Sequence, residues 1–493
     1  MSMIKLQLKQ LLAANRFDEA IDRLRQSESI AAKNNDTEQA FELAKLQIGL
    51  LVKLNTSKKT PDPESQSARL VATAQQIEAT SATYSGLTGS AELNQFAESL
   101  LLNAWKSEAD ATEKNRLWKR YEQHCIEHLQ QWPLSITSQI VRQQLSASFL
   151  ATGQLESNLQ LWSKVPKEVE ERNEQFVNAL LLFVLINDSK EIADQWRTEV
   201  SGLSPPWQQA CRWLLADWTW WTLDGGVDRL AITEDAGGDA SRDASRAVLS
   251  VDSIAAFLQD ASGAESSTAN QSLGPSLDAS TLGLCEWIEK DPASRIGFAI
   301  ATSAAYLALI DDRFAFEKSP WADSDRNSLI STLNRLRSVI VKIETDKNKP
   351  MHLSVLQACQ DINVSLTARI EAISVKAIDV DPSEQKNNLD NELIARQRKS
   401  PRSAKWLQEL AFVPLWRAKS DPANRDALIE KAVQSYLKLA SGNAVGSDGW
   451  FDARLRLARC YLLLSNEKQS SETVSLTTAM AGKIPRVWQT RLP

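Results

Sequence analysis

Apolar residues recur at three- and four-residue spacing along most of the chain, the period of an amphipathic helix. Leu8, Leu11 and Leu12, then Ala20, Ile21 and Leu24, stand on either side of Asn15-Arg16. That pattern predicts two helices joined by a tight turn, with Phe17 stapling the pair. Ala40 to Leu54 reads as a third helix, and Asn55 to Ser65, with Lys58, Lys59, Pro61 and Pro63, reads as a loop. Helical patterns follow at 67–80, 91–108, 113–131, 135–152, 155–164, 168–187, 189–200 and 205–223, separated by punctuation as short as Trp132-Pro133, Thr152-Gly153 and Gly202. Connections this short force neighbouring helices antiparallel. Ser204 suits the N-cap of the helix that follows it, Pro205 and Pro206 suit its first turn, and Gly225-Gly226 stops it.

From 225 to 280 the chain turns to Gly, Ser, Ala and Asp, in phrases such as EDAGGDASRDASR, and only Ala247 to Leu258 has helical character. So little apolar surface does not offset the entropy of ordering. Periodicity resumes at 281–290, 292–312, 324–345, 350–377, 384–398, 402–419, 423–440, 448–464 and 467–482, and no segment sustains a strand alternation. The expected fold is all-α, an α-α superhelix or helical-repeat solenoid of antiparallel hairpins. Its parts are an N-terminal helical half at 1–224, an acidic flexible insertion at 225–280 and a C-terminal helical half at 281–493.

Composition agrees with long unbroken elements. A chain of 493 residues outgrows one compact core, and its 17 Gly and 16 Pro are too few for many tight β-turns. The segment 224–265 carries nine acidic and three basic residues, which accounts for the whole formal charge of −6. The balanced remainder offers no footprint for a phosphate backbone, so no nucleic-acid partner is expected. Cys125, Cys211, Cys285, Cys359 and Cys460 lie too far apart for a zinc knuckle or a disulfide framework. They read as small buried hydrophobes in a reducing compartment, and cytoplasmic localisation is expected. Lys5, Lys9, Arg16 and Asp18 interrupt what a secretory signal would keep apolar. The longest uncharged stretch, Ile296 to Ile310, is too short for a bilayer, so no membrane span is expected and a buried helix is.

Three phrases resemble the tetratricopeptide repeat, which places apolar residues on a first helix, a small residue at the turn and an aromatic-then-alanine phrase on the second. In LLAANRFDEAIDRL, Phe17 and Ala20 match. In LSASFLATGQLESNLQLW, Leu145, Phe149, Gly153 and Trp162 match, with Asn158 in place of the alanine. In RLRLARCYLLLSNEKQSSETV, Leu457, Ala458 and Tyr461 match, with Ser470 at the alanine position. No strict period runs through the chain, which is therefore similar to TPR-like α-solenoids rather than divisible into counted repeats. The resemblance implies binding of a protein or peptide along a groove, with Gln143 and Arg459 at first-helix positions that face it.

Candidate chemistry is sparse. His124-Cys125-Ile126-Glu127-His128 puts two imidazoles on one helix face and fits the inverted zincin order H-x-x-E-H, but no strand is present on which such a site is built. The reading taken is a polar helix face near Glu122 and Gln130. Tryptophan is abundant, 16 in all, and Trp207, Trp213, Trp218, Trp220 and Trp221 make one helix apolar over most of its circumference. Packing between hairpins covers such a helix; the other reading is a peptide or dimer surface centred on Trp213 and Trp220. Arg396, Arg398, Lys399, Arg402 and Lys405 surround Ser400-Pro401. They read as solvated helix ends, with Arg398, Lys399 and Arg402 as candidate contacts for an acidic peptide. Asp311-Asp312 and Asp379-Val380-Asp381 read as carboxylate pairs at helix ends or loops.

There is no G-x-G-x-x-G, G-K-[ST], G-x-S-x-G or C-x-x-C, so no catalytic, cofactor or metal residue is assigned. The expectation is a non-catalytic scaffold or adaptor. A structural subunit that self-associates through a Trp-rich face, and a helical domain of a larger enzyme, are the alternatives.

Overall fold

The computed structural model describes residues 2–57, 63–187, 194–214, 277–316, 323–346, 350–374, 382–399 and 404–482. These residues are helical, with no strand among them. In order they form α1 (Ser2–Ala13), α2 (Phe17–Lys33), α3 (Thr37–Ser57), α4 (Pro63–Thr83), α5 (Ser90–Ser107), α6 (Ala111–Gln131) and α7 (Ile136–Thr152). Then come α8 (Leu155–Ser163), α9 (Arg172–Asn187), α10 (Asp194–Ser201), α11 (Pro205–Leu214), α12 (Leu277–Lys290) and α13 (Ile296–Phe314). The series ends with α14 (Asp323–Thr345), α15 (Leu353–Ser374), α16 (Pro382–Lys399), α17 (Ala404–Ser420), α18 (Arg425–Gly442), α19 (Asp448–Leu463) and α20 (Glu467–Ala481).

Two expected boundaries move. The loop expected over Asn55 to Ser65 is shorter, because α3 continues to Ser57 and α4 opens on Pro63, whose missing N–H costs nothing in a first turn. Leu277 to Ser280, read as the end of the insertion, already belong to α12. Residues 225–276 of that insertion lie outside the described residues, as do Trp218, Trp220, Trp221, Arg402 and Asp379-Val380-Asp381.

Contacts gather the chain into two compact units, Met1–Phe149 with Lys164–Glu170, and Leu150–Ser163 with Glu171–Pro493. In the first, each of α1 to α6 packs against its sequence neighbour. Leu8, Ala20, Leu24, Ala40, Phe41, Leu43 and Tyr84 form one cluster there.

One turn geometry recurs. Asn15, Asn35 and Ser465 adopt left-handed φ values of 55°, 58° and 56°. After each, an N–H reaches back five residues: Arg16 to the Leu11 carbonyl at 2.9 Å, Asp36 to Ala31 at 3.0 Å and Asn466 to Tyr461 at 2.8 Å. This pairing satisfies carbonyls at the end of one helix while the next begins. Asp36 and Asn466 then cap the following helix, accepting from the Gln39 and Gln469 amides at 3.1 Å each. Four residues beyond each turn-closing residue stands a buried small or polar side chain: Ala20, Ala40 and Ser470, with Asn158 equivalent after Gly153. The Asn35 turn is a member that the phrase matching missed; Asn35-Asp36 followed by Ala40 repeats the spacing of Asn15-Arg16 and Ala20.

In the second unit, α9 and α13 pack together, and α13 also meets α11, α12, α14 and α15. Neighbours on so many sides explain the text of α13: Ile296, Phe298, Ala299, Ile300, Ala301, Tyr306 and Ile310 are all buried. The two helices come close where Gly297 meets Asn178, since a Cβ on Gly297 would run into the Asn178 carbonyl. Asn178 Oδ1 accepts from the Gly297 amide at 2.8 Å and so caps α13 from a different helix. Further along, α15 packs with α17, and α17 to α20 each pack on the next. Pro414 lies inside α17. Its ring denies the Leu410 carbonyl a helical partner, and Ser435 of α18 donates to that carbonyl at 3.3 Å.

Candidate interaction surface

Large exposed apolar side chains are spread along the described residues, Leu353 at 74% among them, and three of them, Leu134, Ile136 and Ile140, fall within seven positions of one another at the start of α7. Ile136 is 81% exposed and Leu134 67%, and Ile126 and Ile140 each 37%. Ile136, Ile140 and Gln143 follow helical spacing along the outer side of α7, and all three are exposed. From 128 to 147 the only ionisable side chains are His128 and Arg142, and both are buried. The exposed positions are therefore aliphatic or glutamine, an uncharged surface of the kind soluble chains rarely leave contiguous.

This surface has a stiff base. Arg142 Nη1 donates to the Pro133 carbonyl at 3.0 Å, and Ser138 Oγ donates to the Trp132 carbonyl at 2.5 Å. Thr137 Oγ1 lies 2.8 Å from Ser135 Oγ and 3.2 Å from His128 Nε2. The ring of Trp132 packs 5.1 Å from that of His128. Leu134 and Ile136 thus project from a turn held by these side-chain contacts.

The H-x-x-E-H segment is not a solvated polar face: His124 and His128 are each 1% exposed. All four of their ring nitrogens meet protein atoms, Glu78 Oε1 and the Asn94 carbonyl for His124, Asn94 Oδ1 and Thr137 Oγ1 for His128. Glu127 lies apart on the exposed side, accepting from Gln123 at 2.8 Å. Among the described residues no three His, Cys, Asp or Glu side chains are grouped so as to hold a metal. Burial, then the charges of His124 and Arg142, pushes the His128 imidazole down to about 4.

Asp311 is not at a solvated helix end. It is buried with Arg369 and Glu409 between α13, α15 and α17. Arg369 grips Asp311 with Nε at 2.8 Å and Nη2 at 2.7 Å, and reaches Glu409 with Nη1 at 2.6 Å. Trp416 Nε1 donates to Asp311 at 2.6 Å. These four hydrogen bonds all run between helices, so the cluster ties α13, α15 and α17 together.

The other candidates divide. Gln143 is exposed and belongs to the α7 surface; Arg398 and Lys399 are exposed at the last turn of α16. Arg396 and Lys405 face inward to Asp361 and lie over the Trp406 ring at 5.1 Å each. Arg459 is half-buried and stacks 5.5 Å from the centre of the Phe316 ring. Trp207 is buried beside Phe298 of α13 at 6.1 Å, which accounts for that tryptophan by helix packing. The side chain of Trp213 lies outside the described residues. Leu134, Ile136 and Ile140 were missed in the sequence because three aliphatic residues near a helix start look the same whether they face a core or water.

Comparison with known families and with curated proteins returns no match. Among the described residues no helix is long and apolar enough to cross a membrane.

Proposed function

We propose that this chain is a non-catalytic scaffold or adaptor of TPR-like type, working in the cytoplasm, that docks a protein or peptide partner on the α6–α7 surface. The observation that carries the reading is the run of exposed, uncharged side chains Leu134, Ile136, Ile140 and Gln143. A partner suited to it presents an apolar, uncharged face, such as one side of an amphipathic helix; a charged segment would lose its hydration without gaining an ion pair. The repeated turns support the reading by supplying rigid hairpins, and apolar anchors in a rigid frame are what make interface hot spots.

A photo-reactive amino acid at Gln143 tests it. The expected product is a single crosslinked partner that disappears with Ile136→Asp, while the same probe at Arg398 gives no such product. Equal crosslinking from both positions, or a product indifferent to Ile136→Asp, removes the assignment. Light scattering of the pure protein separates a foreign partner from self-association.

A further inference from the structure

Lys405 stands second in α17, at the positive end of that helix's dipole, where a cation is disfavoured. Its amine faces Asp361 of α15, and that carboxylate already has a cation. Arg396 of α16 pairs with Asp361 Oδ1 at 2.5 Å, and the Gln357 amide donates to the same oxygen at 2.8 Å. Lys405 Nζ lies 3.8 Å from Oδ2, beyond hydrogen-bond reach. Arg396 and Lys405 also share the ring of Trp406, each 5.1 Å from its centre. Two like charges thus divide one carboxylate and one indole, and the guanidinium, which does not give up its proton, holds the nearer place. The amine is the member of the pair that can relieve the crowding by losing a proton.

The other acids nearby are engaged by guanidinium groups. Glu409, one turn further along α17, accepts from Arg369 at 2.6 Å, and Glu392 of α16 accepts from Arg396 at 3.1 Å. Burial lowers the Lys405 amine from its ordinary range; Asp361 and Glu409 oppose that, and the charge of Arg396 adds to it. The Lys405 side chain is nonetheless 39% exposed, so a reagent in water can reach it. A partly desolvated amine beside a second cation is the setting in which a lysine becomes a nucleophile.

We propose that Lys405 is an acylation site whose neutral amine takes the acyl group of an acyl phosphate. The amine lone pair attacks the carbonyl carbon, the N–C bond forms as the C–O bond to phosphate breaks, inorganic phosphate leaves and the surplus proton on nitrogen passes to water. Nothing is oxidised or reduced. An anionic donor suits a site that holds a second cation in Arg396. The amide product is uncharged, so modification ends the crowding and leaves Asp361 to Arg396.

The test treats the full chain with acetyl phosphate over a series of pH values and follows acetylation of each lysine by mass spectrometry. Lys431 and Lys438, at exposed positions of α18, are the internal standards. At about pH 7.5 Lys405 is expected to react about fivefold faster than either, and to reach half its limiting rate at a lower pH than they do. Arg396→Gln removes the competing cation and is expected to move that half-rate point to higher pH. Asp361→Asn removes the counter-charge and is expected to move it to lower pH. Lys405 reacting no faster than the standards at about pH 7.5, a half-rate point at or above theirs, or a profile unchanged in both folded variants overturns the proposal. The wild-type profile decides alone if the variants do not fold.

Discussion

Arg369 and Asp311, 58 positions apart in sequence, meet through two parallel hydrogen bonds of 2.8 and 2.7 Å with both side chains buried. Truncating one partner strands a charge. Arg369→Met is expected to cost about 3–5 kcal/mol, because Asp311 and Glu409 then face each other without a cation. Adding Asp311→Leu should recover part of that loss. Urea unfolding of the three proteins checks the order; a single variant as stable as wild type would remove the cluster from the list of determinants.

Gly297 leaves no room for a side chain against Asn178. Gly297→Ala is expected to destabilise by about 2 kcal/mol or more, because the backbone of α9 has to shift. Asn178→Ala removes only the cap and should cost about 0.5–2 kcal/mol. Thermal melts that rank the two the other way would place the weight on the cap instead of on the close approach.

The recurring turn gives opposite expectations at two positions. Ser465 holds a left-handed φ of 56°, so Ser465→Gly should stabilise, by about 0.5–1 kcal/mol. Gly153, at φ 75°, packs under the ring of His352, where a Cβ would come within 2.7 Å, and Gly153→Ala should destabilise. Denaturation midpoints moving in the same direction for both would contradict a shared turn geometry.

All five cysteines are buried and free. Burial pushes the thiols of Cys211, Cys285, Cys359 and Cys460 up to about 12 and raises that of Cys125 as well. The thiolate is the reactive form, so native protein at about pH 8 should resist maleimide and react fully only in denaturant. Fast labelling of any of them in the native chain would show that its surroundings open.

On the acid side the sign belongs to His128. Its imidazole is lowered to about 4, so the stability it contributes is complete above the ordinary histidine range and is lost as pH falls toward 4. His128→Asn should flatten that part of the pH dependence while leaving in place the loss that Glu98, raised by burial to about 7, contributes as pH rises. Unfolding midpoints across about pH 4 to 8 separate the two arms.

The helices were legible because their information is local. Apolar spacing, Ser204 and Pro205 at a helix start and Asn15 or Gly153 at turns act within one or two turns of chain, whereas Pro63, read as loop, opens α4. The sequence also marked Ile296 to Ile310 as buried, since a helix apolar on every side has nowhere else to go.

What the sequence could not decide was partnership. Asp311 reads as a helix-end acid until Arg369 and Trp416 arrive from two other helices. The H-x-x-E-H segment reads as a polar helix face until both imidazoles prove buried, with Glu78, Asn94 and Thr137 against their nitrogens. Ile136 follows the same apolar spacing as core residues, yet it is 81% exposed. Periodicity states which side of a helix is apolar; only tertiary packing determines which apolar sides are buried, which charges find partners and which face is left to meet another molecule.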